Sequence, residues 1–87
     1  MGDEQKNGAL VLRGLEPLLV DADDAAVLVR LSRAMFFKCL AGGRIGPTPI
    51  RFGKALRFSV AELRDWAAAG CPDRAEWARI RDRGAAR

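Results

Sequence analysis

Apolar positions recur along this chain with two different periods, and the places where the period changes divide it into elements. Leu18, Leu19 and Val20 lead into Asp21, which reads as a helix N-cap with Asp24 at the third helical position. The spacing predicts a first helix from Ala22 to Arg30 whose packed face is Ala25, Ala26, Leu28 and Val29. Leu31 and Ser32 interrupt the pattern. Ser32 then caps a second helix, Arg33 to Ala41, which Gly42 and Gly43 end. So short a link between two short helices suits a steep crossing, the physical form of a helix-turn-helix.

Pro47 and Pro49 bar a helix from the next stretch, and from Ile50 to Phe58 the period falls to two. If Gly53, Lys54 and Ala55 form a three-residue loop, Phe52 pairs with Leu56, Arg51 with Arg57 and Ile50 with Phe58. One face of the hairpin is then apolar, and the other sets two arginines opposite each other. A two-residue loop would place Arg51 beside Leu56 and mix the faces, so the longer loop is the expectation. Ser59 and Glu62 form a capping box for a third helix with Val60, Leu63 and Trp66 along one stripe, ended by Gly70. Pro72 and Asp73, with Glu76 three residues after Asp73, open a fourth helix. On it Trp77 and Ile80 lie one turn apart among Arg74, Arg79, Arg81 and Arg83.

Residues 1–17 show no sustained period and read as a flexible arm, the alternative being a short docking segment of Leu10, Val11, Leu12 and Leu15. The expected organisation is therefore an arm (1–17), a mainly α domain with a small β-hairpin (18–70), and a basic C-terminal helix (71–87). The expected fold is a winged helix-turn-helix. A chain of 87 residues is one domain, close to the lower size limit for a self-sufficient core.

Chemistry is scarce. There is no histidine, and Cys39 and Cys71 lie too far apart for the usual zinc spacings, so neither a Cys/His metal site nor a thiol–imidazole pair is available. Cys39 sits in an apolar helical pattern and reads as a small buried hydrophobe. Asp21, Asp23 and Asp24 cluster at a helix start, where capping and the helix dipole account for them. Gly42, Gly43 and Gly46 are not followed by the lysine–threonine pair of a phosphate loop. Trp66 and Trp77 read as core or docking residues. The expectation is a protein that is not an enzyme and takes no cofactor, metal or small-molecule substrate. No apolar run approaches the roughly 18 residues a membrane span needs, so a cytoplasmic, nucleoid-associated bacterial protein is expected.

Charge sharpens this picture. Residues 1–24 carry a net −4 and residues 62–87 a net +1, while residues 25–61 hold seven bases and no acid. Those seven are Arg30, Arg33, Lys38, Arg44, Arg51, Lys54 and Arg57. They repel one another once folded together, and a polyanion relieves that repulsion while releasing counterions. On the second helix Phe36 and Leu40 face the core, which turns Arg33, Ala34, Phe37, Lys38 and Ala41 outward. Arg33, in the first turn, suits a bidentate contact with a guanine edge, Ala34 a close approach to a thymine methyl, and Lys38 a phosphate. Arg51, Lys54 and Arg57 would form a basic wing against the DNA backbone, with Arg30 and Arg44 as further backbone contacts. The competing expectation is an adaptor that binds a recombinase or another protein through Met35, Phe37, Trp77 and Ile80.

Residues 18–69 also resemble the excisionase-like helix-turn-helix domains, relatives of the MerR DNA-binding domain that include the phage AlpA-type regulators. The resemblance rests on Leu18-Leu19, Asp23-Asp24-Ala25-Ala26, Ser32-Arg33, Gly42-Gly43-Arg44-Ile45, Arg51-Phe52-Gly53-Lys54, and Glu62-Leu63 with Trp66, in that order. Two positions depart from the family pattern: Arg30 stands where the turn usually has glycine, and Met35 where the recognition helix usually has a polar residue. The resemblance implies sequence-specific binding of double-stranded DNA by Ser32, Arg33, Ala34, Phe37 and Lys38. It further implies a role as a recombination directionality factor or small transcription regulator, with an integrase or further copies of the same chain as partners.

Overall fold

The computed structural model describes residues 14–85, so most of the expected N-terminal arm, including Leu10, Val11 and Leu12, lies outside the described residues. Within them the chain is a small α/β domain: β1 (Leu19–Val20), α1 (Ala22–Leu28), α2 (Arg33–Ala41), β2 (Ile50–Phe52), β3 (Ala55–Ser59), α3 (Val60–Ala68) and α4 (Arg74–Ala85). The three strands form one antiparallel sheet in the order β1-β3-β2. None of the described helices is long and apolar enough to cross a membrane.

Local chemistry sets the helix starts. Asp24 N–H donates to Asp21 Oδ1 (2.8 Å), Met35 N–H to Ser32 Oγ (3.1 Å), Glu62 N–H to Ser59 Oγ (3.1 Å) and Glu76 N–H to Asp73 Oδ1 (2.9 Å). Each cap satisfies a backbone donor that the first turn leaves without a helical partner. The C-terminus of α1 is less ordinary. Leu31 N–H donates to Ala26 O (2.9 Å) and Arg30 N–H to Val27 O (3.0 Å), a Schellman closure. That closure requires a left-handed residue, and Arg30 supplies it at φ +62°. The first helix thus stops at Leu28, two residues short of the sequence expectation, and Arg30 belongs to the turn.

The core joins both halves of the chain. Phe36 from α2 and Phe58 from β3 are fully buried and meet edge to face, with centroids 5.4 Å apart at 80°. Ala25 and Ala26 are buried too; their small side chains let α1 sit close against its neighbours. Ile45, Leu63 and Trp66 complete the cluster, with Pro47 buried in the segment before β2.

One sequence expectation, the hairpin register, gives way here, and one strand appears that the sequence did not single out. Leu19 and Val20 form a strand, pairing with Ser59 and Phe58. The hairpin turns on two residues, Gly53 and Lys54, with Ile50 opposite Arg57, Arg51 opposite Leu56 and Phe52 opposite Ala55. Arg51 and Arg57 are therefore not cross-strand partners. Gly53 has φ +60° and Lys54 does not enter the positive-φ region, as in a type II′ turn, whose twist matches that of the paired strands. This register sends Leu56 and Phe58 to the core side with Val20. Ile50 and Phe52 go to the opposite, solvent-facing side, where Phe52 is 57% exposed. A wholly apolar hairpin face requires both strands to line the core, but β2 is a short edge strand exposed along its whole length. Ile45 and Pro47 reach the interior instead.

The tail, which the sequence leaves open between self-docking and a partner, packs on the domain. Trp77 is buried against the same core as Trp66, and Ile80 packs beside it. Trp77 Nε1 donates to Glu62 Oε2 (2.9 Å), Arg81 Nη1 donates to the same oxygen (2.9 Å), and Trp66 Nε1 donates to Pro72 O (2.7 Å). Gly46 sits against the Trp66 indole and the Trp77 Cβ, where an added Cβ would come within 2.6 Å of Trp66 Nε1 and 2.9 Å of Trp77 Cβ. Burying Trp77 contributes about 2–3 kcal/mol, so α4 is part of the domain. Trp77 and Ile80 are consequently not free to form the contact surface that the adaptor expectation assigned to them.

Candidate nucleic-acid interface

Helix α2 is held at both ends. At its C-terminus Arg74 N–H donates to Gly43 O (3.0 Å) and Arg74 Nη2 to Leu40 O (3.0 Å), placing a cation at the negative end of the helix dipole. At its N-terminus Arg33 Nε donates to Asp23 Oδ1 of α1 (2.7 Å). In between, Phe36 anchors the helix to the sheet. The outward face then carries the expected residues: Arg33, Ala34, Phe37, Lys38 and Ala41 are all exposed.

That face is ordered from the inside. Phe37, 38% exposed, stands edge-on to buried Phe36 with centroids 6.1 Å apart at 87°. The Arg33 guanidinium carbon lies 5.3 Å from the centre of the Phe37 ring, within cation–π range. A contact chain thus runs from the sheet through Phe58, Phe36 and Phe37 to Arg33 at the surface. The first turns of α1, α3 and α4 contain acids, as the helix dipole favours, but that of α2 contains none and begins with Arg33.

The remaining cations differ in their surroundings. Among the described residues Arg33 alone of the seven bases between residues 25 and 61 is in an ion pair; Arg30, Lys38, Arg44, Arg51, Lys54 and Arg57 have no acidic partner. Arg30 is exposed in the α1–α2 turn and Arg44 is exposed just past the end of α2. Lys54 is exposed at the hairpin tip, and Arg51 is exposed on β2. Arg57 is half-buried on the other face of the ribbon, where its Nη1 donates to Leu56 O (2.8 Å). The expected pair of wing arginines is therefore split. Ser32 Oγ accepts the cap bond of α2 and keeps its O–H as a donor.

One site residue escaped the sequence argument. Asp21, Asp23 and Asp24 lie together at the start of α1, but Asp21 alone is the N-cap and Asp23 reaches across to Arg33. No periodicity links positions ten residues apart on two helices, so the pairing depends on their crossing. Among the described residues no cluster of three or more His, Cys, Asp or Glu is placed to hold a metal. Cys39 is half-buried, Cys71 is exposed, and both are free thiols. No protein-family model, curated protein or solved structure matches this chain.

Proposed function

We propose that this chain binds double-stranded DNA as a winged helix-turn-helix, with α1 and α2 as the helix pair, α2 as the recognition helix and the β2–β3 hairpin as the wing. The observation that carries the reading is the outer face of α2: exposed Arg33, Ala34, Phe37 and Lys38, on a helix without a first-turn acid, amid cations that lack acidic partners. Arg33 and Ala34, in the first turn, address base edges, and Lys38 a phosphate. Lys54 at the tip and Arg51 on the strand grip the backbone, and Arg30 and Arg44 add contacts on either side of α2. Arg57, bonded to Leu56 O, has the smallest share of the wing. The biological role is recombination directionality or promoter regulation, in keeping with the resemblance of residues 18–69 to excisionase-like domains.

The test is a titration of the protein with mixed-sequence duplex at several salt concentrations. Binding should weaken steeply with salt, by close to one power of salt concentration per phosphate neutralised. Lys54→Ala should reduce that slope by about one and weaken all sequences alike, whereas Arg33→Ala should cost about 1–3 kcal/mol on a selected site and relax its specificity. Weak binding with a flat salt dependence would sink the reading. It would favour the second one, a protein-docking module, for which the structure offers a different surface from Trp77 and Ile80. A groove between α1 and α3 is lined by Leu15, Val27, Leu28 and Val60, with Leu18 83% exposed nearby.

A further inference from the structure

We propose that Asp23 is a positioning residue for base recognition: from α1 it holds the Arg33 guanidinium by Nε, so that the two terminal nitrogens face a guanine as a preset fork. This rests on the DNA-binding reading of α2 and adds a residue and a division of labour to it.

Three observations converge. First, the Asp23 carboxylate takes Nε, at 2.7 Å, and no terminal nitrogen of Arg33 is bonded among the described residues. A guanine presents O6 and N7 in the major groove, the acceptor pair that a free Nη1/Nη2 edge matches. Second, the Phe37 ring lies against the guanidinium carbon at 5.3 Å and is itself braced edge-on by buried Phe36. A side chain with many rotamers is thereby held by one polar and one aromatic contact, which lowers the ordering cost of a bidentate bond. Third, Arg33 is the first residue of α2, the end from which recognition helices reach base edges.

Stability does not explain the ion pair. Both side chains are mostly exposed, 73% and 62%, and exposed pairs contribute little to folding. Nor does affinity explain it, because a carboxylate near a phosphate surface repels the ligand. An acid that lowers non-specific attraction while aligning a base-reading fork favours discrimination over tightness. This sets the expected signature: removing Asp23 should move specificity and non-specific affinity in opposite directions.

The experiment selects sites from a duplex pool with a randomised core, using the wild-type chain, Arg33→Ala, Asp23→Ala and Asp23→Asn, each checked for a cooperative thermal melt. The wild-type motif should contain a guanine that Arg33→Ala loses. Asp23→Ala should lose discrimination at that same position, by roughly fivefold or more, the low end of what a bidentate arginine–guanine contact provides. Its affinity for mixed-sequence duplex should rise. Asp23→Asn, whose amide oxygen can still accept from Nε, should retain most of the preference. The proposal is overturned if Asp23→Ala selects the wild-type motif unchanged, or if it loses every position equally, which would mark a purely architectural contact. If the wild-type chain enriches no motif, or Arg33→Ala loses no guanine, Arg33 reads no base and the role of Asp23 falls with it. Failure of the wild-type chain to retain the pool even at low salt would instead defeat the DNA-binding reading itself.

Discussion

Helix α2 and the β2–β3 hairpin are both short, both basic and both anchored by one buried phenylalanine, yet they follow from the sequence by different routes. In α2 the N-cap serine, the helix-ending glycines and the spacing from Phe36 to Leu40 act within a few residues of one another. Together they settle which side chains face outward. In the hairpin the same strand residues fit two registers. The choice depends on what lies behind the sheet: β1 places Val20 beside Phe58, and Ile45 and Pro47 are buried while Ile50 stays exposed. A one-residue change of pairing sends side chains to the other face, so any error of register becomes an error about the site.

The largest expected effects test this contrast directly. Phe36→Ala and Phe58→Ala should each cost about 3–5 kcal/mol in urea unfolding, because each removes a fully buried ring from the shared core. Ile50→Ala, at an exposed edge-strand position, should cost less than about 1 kcal/mol. A loss at Ile50 comparable to that at Phe58 would mean that both face inward, restoring the three-residue loop and the opposed arginines.

Smaller changes probe the local signals. Gly53→Ala forces a Cβ into the left-handed region and should destabilise the domain by about 1–2 kcal/mol. Removing the α2 cap with Ser32→Ala should cost about 1 kcal/mol. The two-residue turn fails if thermal melts show Gly53→Ala to be neutral while Ala55→Gly stabilises. In a three-residue loop the left-handed position is the third.

How legible the molecule was follows from the same distinction. Ser32, Ser59, Asp21 and Asp73 cap the helices that the sequence predicts, since capping is a contact across three residues. The outward face of α2 followed from one buried residue and the helical period. What stayed hidden required two distant segments to meet: β1 as a third strand, the docking of Trp77 over Gly46, and the reach of Asp23 to Arg33. Trp77 and Ile80 showed that α4 had an apolar stripe, but nothing along the chain told a self-docking stripe from one awaiting a partner.

Arg30 brings stability and the proposed function into opposition. Its φ of +62° is the C-terminal closure of α1, a place where a β-carbon is unfavourable and where Gly43, at the same position after α2, has none. Arg30→Gly should therefore raise stability by about 0.5–1 kcal/mol, part of the relief being cancelled by the greater freedom of glycine in the unfolded chain. The urea midpoint should rise with no change in slope. If Arg30 meets a phosphate, the same variant should bind duplex more weakly at low salt and lose about one unit of salt slope. Arg30→Asn separates the causes: asparagine tolerates the left-handed region yet carries no charge, so it should show the same loss of salt slope with a smaller gain in stability. A chain that became more stable and bound DNA no less tightly would show that the strained arginine serves neither purpose, and would remove Arg30 from the interface.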